Sequence, residues 1–134
     1  MYYIVGGKGL ILNTDGAKPI YVQISDWLET EIMSGQYQAD QKIYSQYQLA
    51  DMFNINPATA AKGLNLLVEQ DILYKKRGLG MFVFNDAREK IIRKRKNQTL
   101  KKLLREVVLE ARRLGIEEKQ LIEMVKDVNL EGED

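Results

Sequence analysis

The chain contains neither cysteine nor histidine. The absence of cysteine excludes disulfide bonds, thiolate chemistry and cysteine-based zinc sites. The absence of histidine removes the commonest general base and the commonest protein ligand of transition metals. Because no catalytic arrangement of carboxylates and lysines replaces them, we predict that the protein is not an enzyme and has no cofactor and no metal site.

Long apolar runs are absent as well. No stretch approaches the roughly 20 apolar residues of a membrane-spanning helix, and the N-terminus lacks the basic and apolar regions of a signal peptide. We therefore expect a cytoplasmic protein with no membrane partner. Its 134 residues, of which 45% are hydrophobic, suffice for one compact domain with a modest extension.

The net charge is only +1, from 20 basic and 19 acidic residues, but the basic residues are unevenly distributed. Up to Asn85 there are seven basic and eight acidic residues, whereas thirteen basic and eleven acidic residues follow. Nearly all of the later excess lies between Arg88 and Arg105. Positive charge is thus concentrated in one segment, which the net charge alone conceals.

A first helix is predicted to begin at Pro19, whose fixed φ and missing N–H suit a first helical turn, and to end at Gly35. The acidic residues Asp26, Glu29 and Glu31 lie off its apolar side, so we expect them to face solvent. That apolar side recurs every fourth residue and consists of Ile20, Ile24, Leu28 and Ile32.

Two shorter helices are predicted next. Ser45 and Gln48 have the spacing of a capping box, while Asn56 is suited to cap a third helix and Pro57 to occupy its first turn. Two short helices with a tight connection predict a helix-turn-helix, although many helical hairpins share this spacing. The residues predicted to be buried are Leu49, Met52 and Phe53 in the second helix, and Ala60, Leu64 and Leu67 in the third.

A basic hairpin follows these helices. Ile72–Tyr74 and Met81–Phe84 have the composition of strands, and Lys75–Gly80 forms a turn with three successive cations and two glycines. Glycine permits close approach of the backbone to a phosphate or a groove wall, and the cations would neutralise DNA phosphates. Taken alone, the segment also fits a solvated hairpin with charged ends. In this order, the elements predict a winged helix-turn-helix, mainly α with a small β-hairpin wing.

The residues after Asn85 predict a two-helix tail. A long helix ends at Gly115, and Glu117–Val128 forms a shorter one. The apolar side of this small appendage needs a partner surface, which is either the winged helix or a second copy of the chain. We favour a symmetric homodimer, because such DNA readers usually bind paired half-sites. The residues predicted to form the dimer contact are Leu100, Leu103, Leu104, Val107, Val108, Leu114, Leu121, Ile122 and Val125.

Three regions are therefore predicted along the chain. Residues 1–17 form an N-terminal extension, in which the apolar runs Tyr2–Val5 and Leu10–Leu12 suggest a short hairpin. Residues 18–85 form the winged helix-turn-helix, and residues 86–134 form a helical dimerisation region.

Residues 18–84, over half of the chain, resemble the GntR family of bacterial transcription regulators, in particular its short YtrA-like branch. The resemblance lies in the run Pro19–Ile24 at the start of the first helix and in Leu49-Ala50 in the second. It continues through Ile55–Thr59, which leads into the recognition helix, and through the wing motif Arg77–Val83. Fifty-one residues follow Val83, and this short remainder is similar to the two-helix dimerisation tail of this branch.

The resemblance implies a sequence-specific regulator, by analogy a local repressor, that binds a palindromic operator in double-stranded DNA as a homodimer. The regulated genes and any small-molecule effector are not implied. Two departures from the family pattern reduce the DNA contacts expected of the second and third helices. Tyr44 replaces the family's usual proline, and Tyr47 replaces an arginine that usually contacts DNA. Ala60 and Ala61 leave few long side chains on the recognition helix.

The predicted DNA-binding site combines a recognition helix at about residues 57–69 in the major groove with a wing at 75–82 on the backbone or in the minor groove. A basic stretch from Arg88 to Lys96 is expected to add backbone affinity, unless it is an ordinary solvated helix face. The alternative function is a winged helix that binds protein instead of DNA, through an aromatic patch of Tyr44 and Tyr47. The predicted DNA-binding residues are Ser45, Tyr47, Asn56, Ala58, Thr59, Lys62, Lys75, Lys76, Arg77, Gly78 and Gly80.

Overall fold

The computed structural model describes Leu12, Asn13 and residues 18–132. The hairpin expected between residues 2 and 12 lies almost entirely outside these residues. The chain divides into two compact units, one up to Arg93 and the other from Lys94 onward.

The first unit is mainly helical and carries one two-stranded antiparallel sheet, as the sequence predicts. Helix α3 packs against both α1 and α2, and it also contacts β1. Most of the predicted apolar residues are buried in the core between these elements, including Ile24, Leu28, Leu49 and Leu64. The elements are α1 (Ile20–Met33), α2 (Gln46–Phe53), α3 (Pro57–Glu69), β1 (Leu73–Lys76), β2 (Gly80–Val83) and α4 (Ala87–Lys94).

The helix ends follow the local signals in the sequence. Ser45 Oγ accepts a hydrogen bond from the backbone N–H of Gln48 at 3.1 Å, and Gln48 Oε1 accepts one from the N–H of Ser45 at 2.8 Å. The predicted capping box is therefore present at the start of α2. Asn56 Oδ1 accepts a hydrogen bond from the N–H of Ala58 at 2.8 Å and caps α3, while Gly35 has a φ of +89° just after α1.

Removal of the Ser45 cap at the start of α2 is expected to destabilise the first unit. The Ser45→Ala variant should lose about 1 kcal/mol of the free energy of unfolding, because a backbone N–H of α2 loses its acceptor. Urea denaturation followed by circular dichroism measures the difference. Ser34→Ala is the matched control, since the Ser34 hydroxyl donates to the carbonyl of Glu31 at an exposed helix end. Equal midpoints for the two variants would contradict the assignment.

Helix α1 buries more polar groups than its periodicity indicates. The expectation that Glu29 faces solvent is wrong, because only 2% of the residue is exposed. Gln23 is buried as well, and its side-chain amide donates to the carbonyls of Asn13 at 2.7 Å and Lys18 at 3.0 Å. These bonds hold the chain that precedes α1 against the helix, and Leu12 beside it belongs to the core. Both faces of α1 are therefore covered in part.

Helix α4 belongs to the first unit. Ala87 and Ile91 are buried in its core, although the sequence places residues 86 onward in the dimerisation region. Two cations of α4 bind backbone carbonyls at the ends of other elements: Arg88 Nε donates to Met33 O at 2.9 Å, and Lys90 Nζ donates to Asp71 O at 2.8 Å. Cations are favoured at such carbonyls, because the carbonyl ends of helices carry partial negative charge.

The second unit consists of helical segments with little burial. A π-helical segment at Arg95–Leu100 is followed by α5 (Lys101–Arg113) and α6 (Glu118–Glu131). The periodicity of the sequence predicts an uninterrupted α-helix here and does not reveal the π-helical turns. Gly115 has a φ of +68° between α5 and α6, where the sequence places the helix end. Ala111 is the one buried residue of this unit among those described.

Candidate nucleic-acid interface

The helix-turn-helix consists of α2 and α3, joined by a short left-handed turn. Asn54 has a φ of +53°, and the N–H of Ile55 donates to the carbonyl of Ala50 at 3.0 Å. Asparagine tolerates this left-handed conformation better than most residues, so the residue after α2 suits the sharp change of direction. The turn leaves the N-terminal part of α3 exposed.

The predicted base-contacting residues lie on that N-terminal part of α3. Ala58 and Lys62 are exposed, and Thr59 is half-buried. The Lys62 ammonium lies 4.4 Å from the centre of the Tyr21 ring on α1. Lys62 therefore leans toward α1, and a cation–π contact holds its charge there. The methyl groups of Ala58 and Thr59 are suited to contact a thymine methyl in the major groove.

The predicted contacts at the helix starts have defined local roles. The side chains of Ser45 and Asn56 are the N-caps described above. The bond that Ser45 Oγ accepts leaves the hydroxyl proton able to donate to a phosphate. Tyr47 is 69% exposed in the first turn of α2. Its phenol offers a single neutral donor instead of the charged fork of an arginine.

The wing carries its cations on opposite faces. In the register of the hairpin, Lys75 pairs with Met81 and Lys76 pairs with Gly80, and neighbouring residues of a strand point to opposite faces. The Lys76 ammonium lies 4.6 Å from the centre of the Phe82 ring, whereas Lys75 shares the other face with Met81. Arg77 begins the turn, in which Gly78 has a φ of +78°. Strand β1 reaches two residues further toward the tip than the sequence indicates.

Lys42, a cation that no motif in the sequence singles out, lies beside the wing. Lys42 forms an isolated antiparallel bridge with Phe82. The backbone N–H of Ile43 donates to Met81 O at 2.9 Å, and the N–H of Val83 donates to Gln41 O at 3.0 Å. The segment before α2 thus lines the outer edge of β2. Lys42 precedes Phe82 by 40 positions in the sequence, and no local pattern indicates this pairing.

The aromatic patch on which the protein-binding alternative depends is not formed. Tyr44 packs inward, with its ring centre 6.2 Å from that of Trp27 and 6.1 Å from that of Tyr37. Burial and a hydrogen bond with Tyr44 raise the pKa of Tyr37 far above its usual range. Of the two tyrosines in the predicted patch, only Tyr47 is strongly exposed. The family proline is therefore replaced by a tyrosine that fills space beside the core.

The basic stretch after the wing is only partly available for DNA. Arg88 and Lys90 bind the carbonyls of Met33 and Asp71, and Lys90 also forms an ion pair with Asp86 at 3.0 Å. Arg93 and Lys96 are exposed. At least Arg88 and Lys90 are therefore engaged within the first unit, which weakens the hypothesis that the whole basic stretch adds affinity for the DNA backbone.

The predicted dimer-contact residues are almost all exposed in the single chain. Their exposed fractions range from 37% at Val108 to 66% at Leu114, and Leu121 is half-buried. Large apolar side chains at this exposure leave a continuous apolar side on α5. Such an accumulation is unusual for the surface of a monomer.

Neither a metal cluster nor a membrane span is found in the described part of the chain. Among Leu12, Asn13 and residues 18–132, no three acidic side chains lie close enough together to hold a metal ion. No helix in the same ranges combines the length and the apolar character needed to cross a membrane.

Curated relatives of this chain are transcriptional regulators. The chain is 26% identical to the transcriptional repressor YtrA of Bacillus subtilis over 111 residues, which cover 83% of the chain and 85% of YtrA. It is 33% identical to the repressor NagR of the same organism over 81 residues, which cover 60% of the chain. The matched part spans only 33% of the length of NagR.

Solved structures give the same result. A GntR family transcriptional regulator from Listeria monocytogenes matches with a TM-score of 0.69 and 34% identity, over 84% of this chain and 97% of that protein. BusR of S. agalactiae, whose structure was solved in complex with its busAB-promotor DNA, matches with a TM-score of 0.54 and 27% identity, over 88% of this chain and 58% of that protein.

The family model described as "Bacterial regulatory proteins, gntR family" matches residues 20–83, which span α1 to the end of the wing. The similarity to YtrA extends through most of its length and agrees with the short branch of this family. From the helix-turn-helix, the wing and these similarities together, the chain belongs to the GntR family of DNA-binding transcriptional regulators.

Proposed function

We propose that this protein is a homodimeric transcriptional repressor that binds a palindromic operator. Each protomer would place the N-terminal part of α3 in the major groove. The wing would lie on the DNA backbone or in the adjacent minor groove. The winged helix-turn-helix of each protomer forms its DNA-binding head, and two heads related by a twofold axis read two inverted half-sites.

The observation that carries the proposal is the arrangement of α3 and the wing. The small side chains of Ala58 and Thr59 allow the start of α3 to approach base edges closely. The contact between α3 and β1 fixes the wing relative to this helix, and the wing adds Lys75, Lys76 and Arg77. Phosphate contacts position the head, and base contacts supply specificity.

The similar proteins support the DNA binding and the repressor role in this proposal. BusR was solved on promoter DNA, and YtrA and NagR are both repressors. The homodimer is supported by the exposed apolar side of α5, because a second copy of that side would bury both.

Specific binding is tested with DNA from upstream of the protein's own gene. Fluorescence anisotropy of labelled fragments should show binding at least ~1,000-fold tighter than to a scrambled fragment of the same length, as is typical of specific DNA readers. A ratio near one for every upstream fragment would contradict the function. A protected footprint with inverted half-sites would support the palindromic operator.

Neutralisation of the wing is expected to weaken binding to all DNA. The double variant Lys75→Gln with Arg77→Gln should reduce the slope of log affinity against log salt by about 0.9 for each phosphate that is no longer neutralised. The matched control is Lys119→Gln with Lys126→Gln, which removes the same charge from exposed positions of α6. Anisotropy titrations over a range of salt concentrations measure both slopes. Equal slopes for the two double variants would remove the wing from the interface.

A further inference from the structure

We propose that Lys42 is an additional contact to the DNA backbone and supplies the positive charge that α2 lacks at Tyr47. This inference rests on the proposed function, because it assumes that the wing approaches DNA. It concerns a residue outside both helices of the helix-turn-helix and outside the wing turn.

The backbone of Lys42 is fixed against the wing. The bridge to Phe82 and the two hydrogen bonds of Ile43 and Val83 hold the segment on the outer edge of β2. Directly opposed residues of an antiparallel pair place their side chains on the same face. The Lys42 side chain therefore lies on the face of Phe82 and Lys76.

The side chain of Lys42 lies across Gly80. A Cβ atom added to Gly80 would lie only 2.8 Å from Lys42 Cε and 3.6 Å from Lys42 Nζ. Gly80 also has a φ of +118°, which L-residues rarely adopt. Because Gly80 has no side chain, the end of the Lys42 side chain can lie against the start of β2.

The ammonium of Lys42 remains available to an anion. The residue is exposed, and within the described ranges its Nζ has neither a hydrogen bond nor an ion pair. The nearby Asp40 carboxylate accepts a hydrogen bond from the Tyr74 hydroxyl at 2.5 Å, which directs it to the wing. Lys42 and Lys76 lie on one face, and a phosphate close to both would relieve the repulsion between the two cations.

Lys42 also faces the start of α2. It lines a cleft of about 360 Å³ together with Tyr44 and Gln48, the latter from the first turn of that helix. Tyr47 lies in the same turn, at the position where the family resemblance implies an arginine. A cation between the wing and α2 can therefore neutralise the backbone near both elements, which a neutral tyrosine cannot do.

The test is the salt dependence of operator binding by the full chain, measured by fluorescence anisotropy. Lys42→Gln should weaken binding to the operator and to unrelated DNA by similar factors, and should reduce the salt slope by about 0.9 for each protomer bound. Lys42→Arg retains the charge and should keep the wild-type slope. Lys126→Gln, an exposed lysine of α6, is the control for net charge and should also leave the slope unchanged.

A second variant tests the relation to Tyr47. Tyr47→Arg in the Lys42→Gln background should restore the slope, because it returns one cation to the same side of α2. Thermal unfolding by circular dichroism verifies that each variant is folded. A wild-type slope for Lys42→Gln would overturn the Lys42 contact while leaving DNA binding intact, and a failed rescue would overturn its relation to Tyr47. A wild-type protein that prefers no upstream fragment would refute the proposed function itself.

Discussion

The Gly63→Val variant is expected to lose about 3 kcal/mol of the free energy of unfolding, in the upper range for overpacked cores. Gly63 is buried where α3 crosses α1. A Cβ atom there would lie 2.8 Å from the backbone carbonyl oxygen of Tyr21 and 3.3 Å from Ile24 Cβ. A backbone oxygen cannot rotate away as a side chain can, so the two helices would have to separate. Chemical denaturation followed by circular dichroism measures the loss.

The control for this prediction lies on the same helix. Asn65→Val introduces the same side chain at a half-buried position, and asparagine and valine have similar helix propensities. Its midpoint should therefore stay close to that of the wild type. If Gly63→Val unfolds at the same denaturant concentration as Asn65→Val, the close approach of α1 and α3 does not restrict the size of the side chain at position 63.

Charge on the apolar side of α5 is expected to abolish the dimer and most of the operator affinity. Leu104 and Val108 are 51% and 37% exposed and lie one turn apart. The double variant Leu104→Glu with Val108→Glu should be monomeric, because a dimer would bury four uncompensated carboxylates. Loss of the linked second head should lower operator affinity by about 100-fold or more. Light scattering and anisotropy measure the two effects.

An exposed leucine outside the predicted dimer contact provides the comparison. Leu130 is 63% exposed near the end of α6. Leu130→Glu should leave the mass in solution and the operator affinity near wild type. A dimer that persists in the double variant would mean that α5 does not form the contact, even if DNA binding is retained.

The features predicted correctly from the sequence are those that depend on neighbouring residues. The capping box of Ser45 and Gln48, the cap at Asn56 and the helix ends at Gly35 and Gly115 each involve only a few positions. Apolar periodicity likewise locates the buried sides of α1 and α3. Order along the chain, with the family resemblance, then identifies the winged helix.

The features that the sequence does not reveal depend on contacts between distant residues. Lys42 reaches Gly80 across 38 positions, and Arg88 reaches the Met33 carbonyl across 55. Each of these two cations looks like a solvated charge when only its neighbours are considered. Glu29 lies off the apolar stripe of α1, yet it is covered by surrounding structure that helical periodicity does not include.

The burial of Ile91 determines where this protein can be divided. The part of NagR that matches this chain makes up only 33% of NagR's length, so similar winged helices occur in proteins of different size. Any exchange of tails, by recombination or in the laboratory, would have to carry α4 with the head. A chimeric regulator joined after Asn85 would lose the Ile91 side chain from the core, at a cost of about 2–5 kcal/mol by comparison with large-to-small substitutions. A junction after Arg93 would retain it, together with the bonds of Arg88 and Lys90.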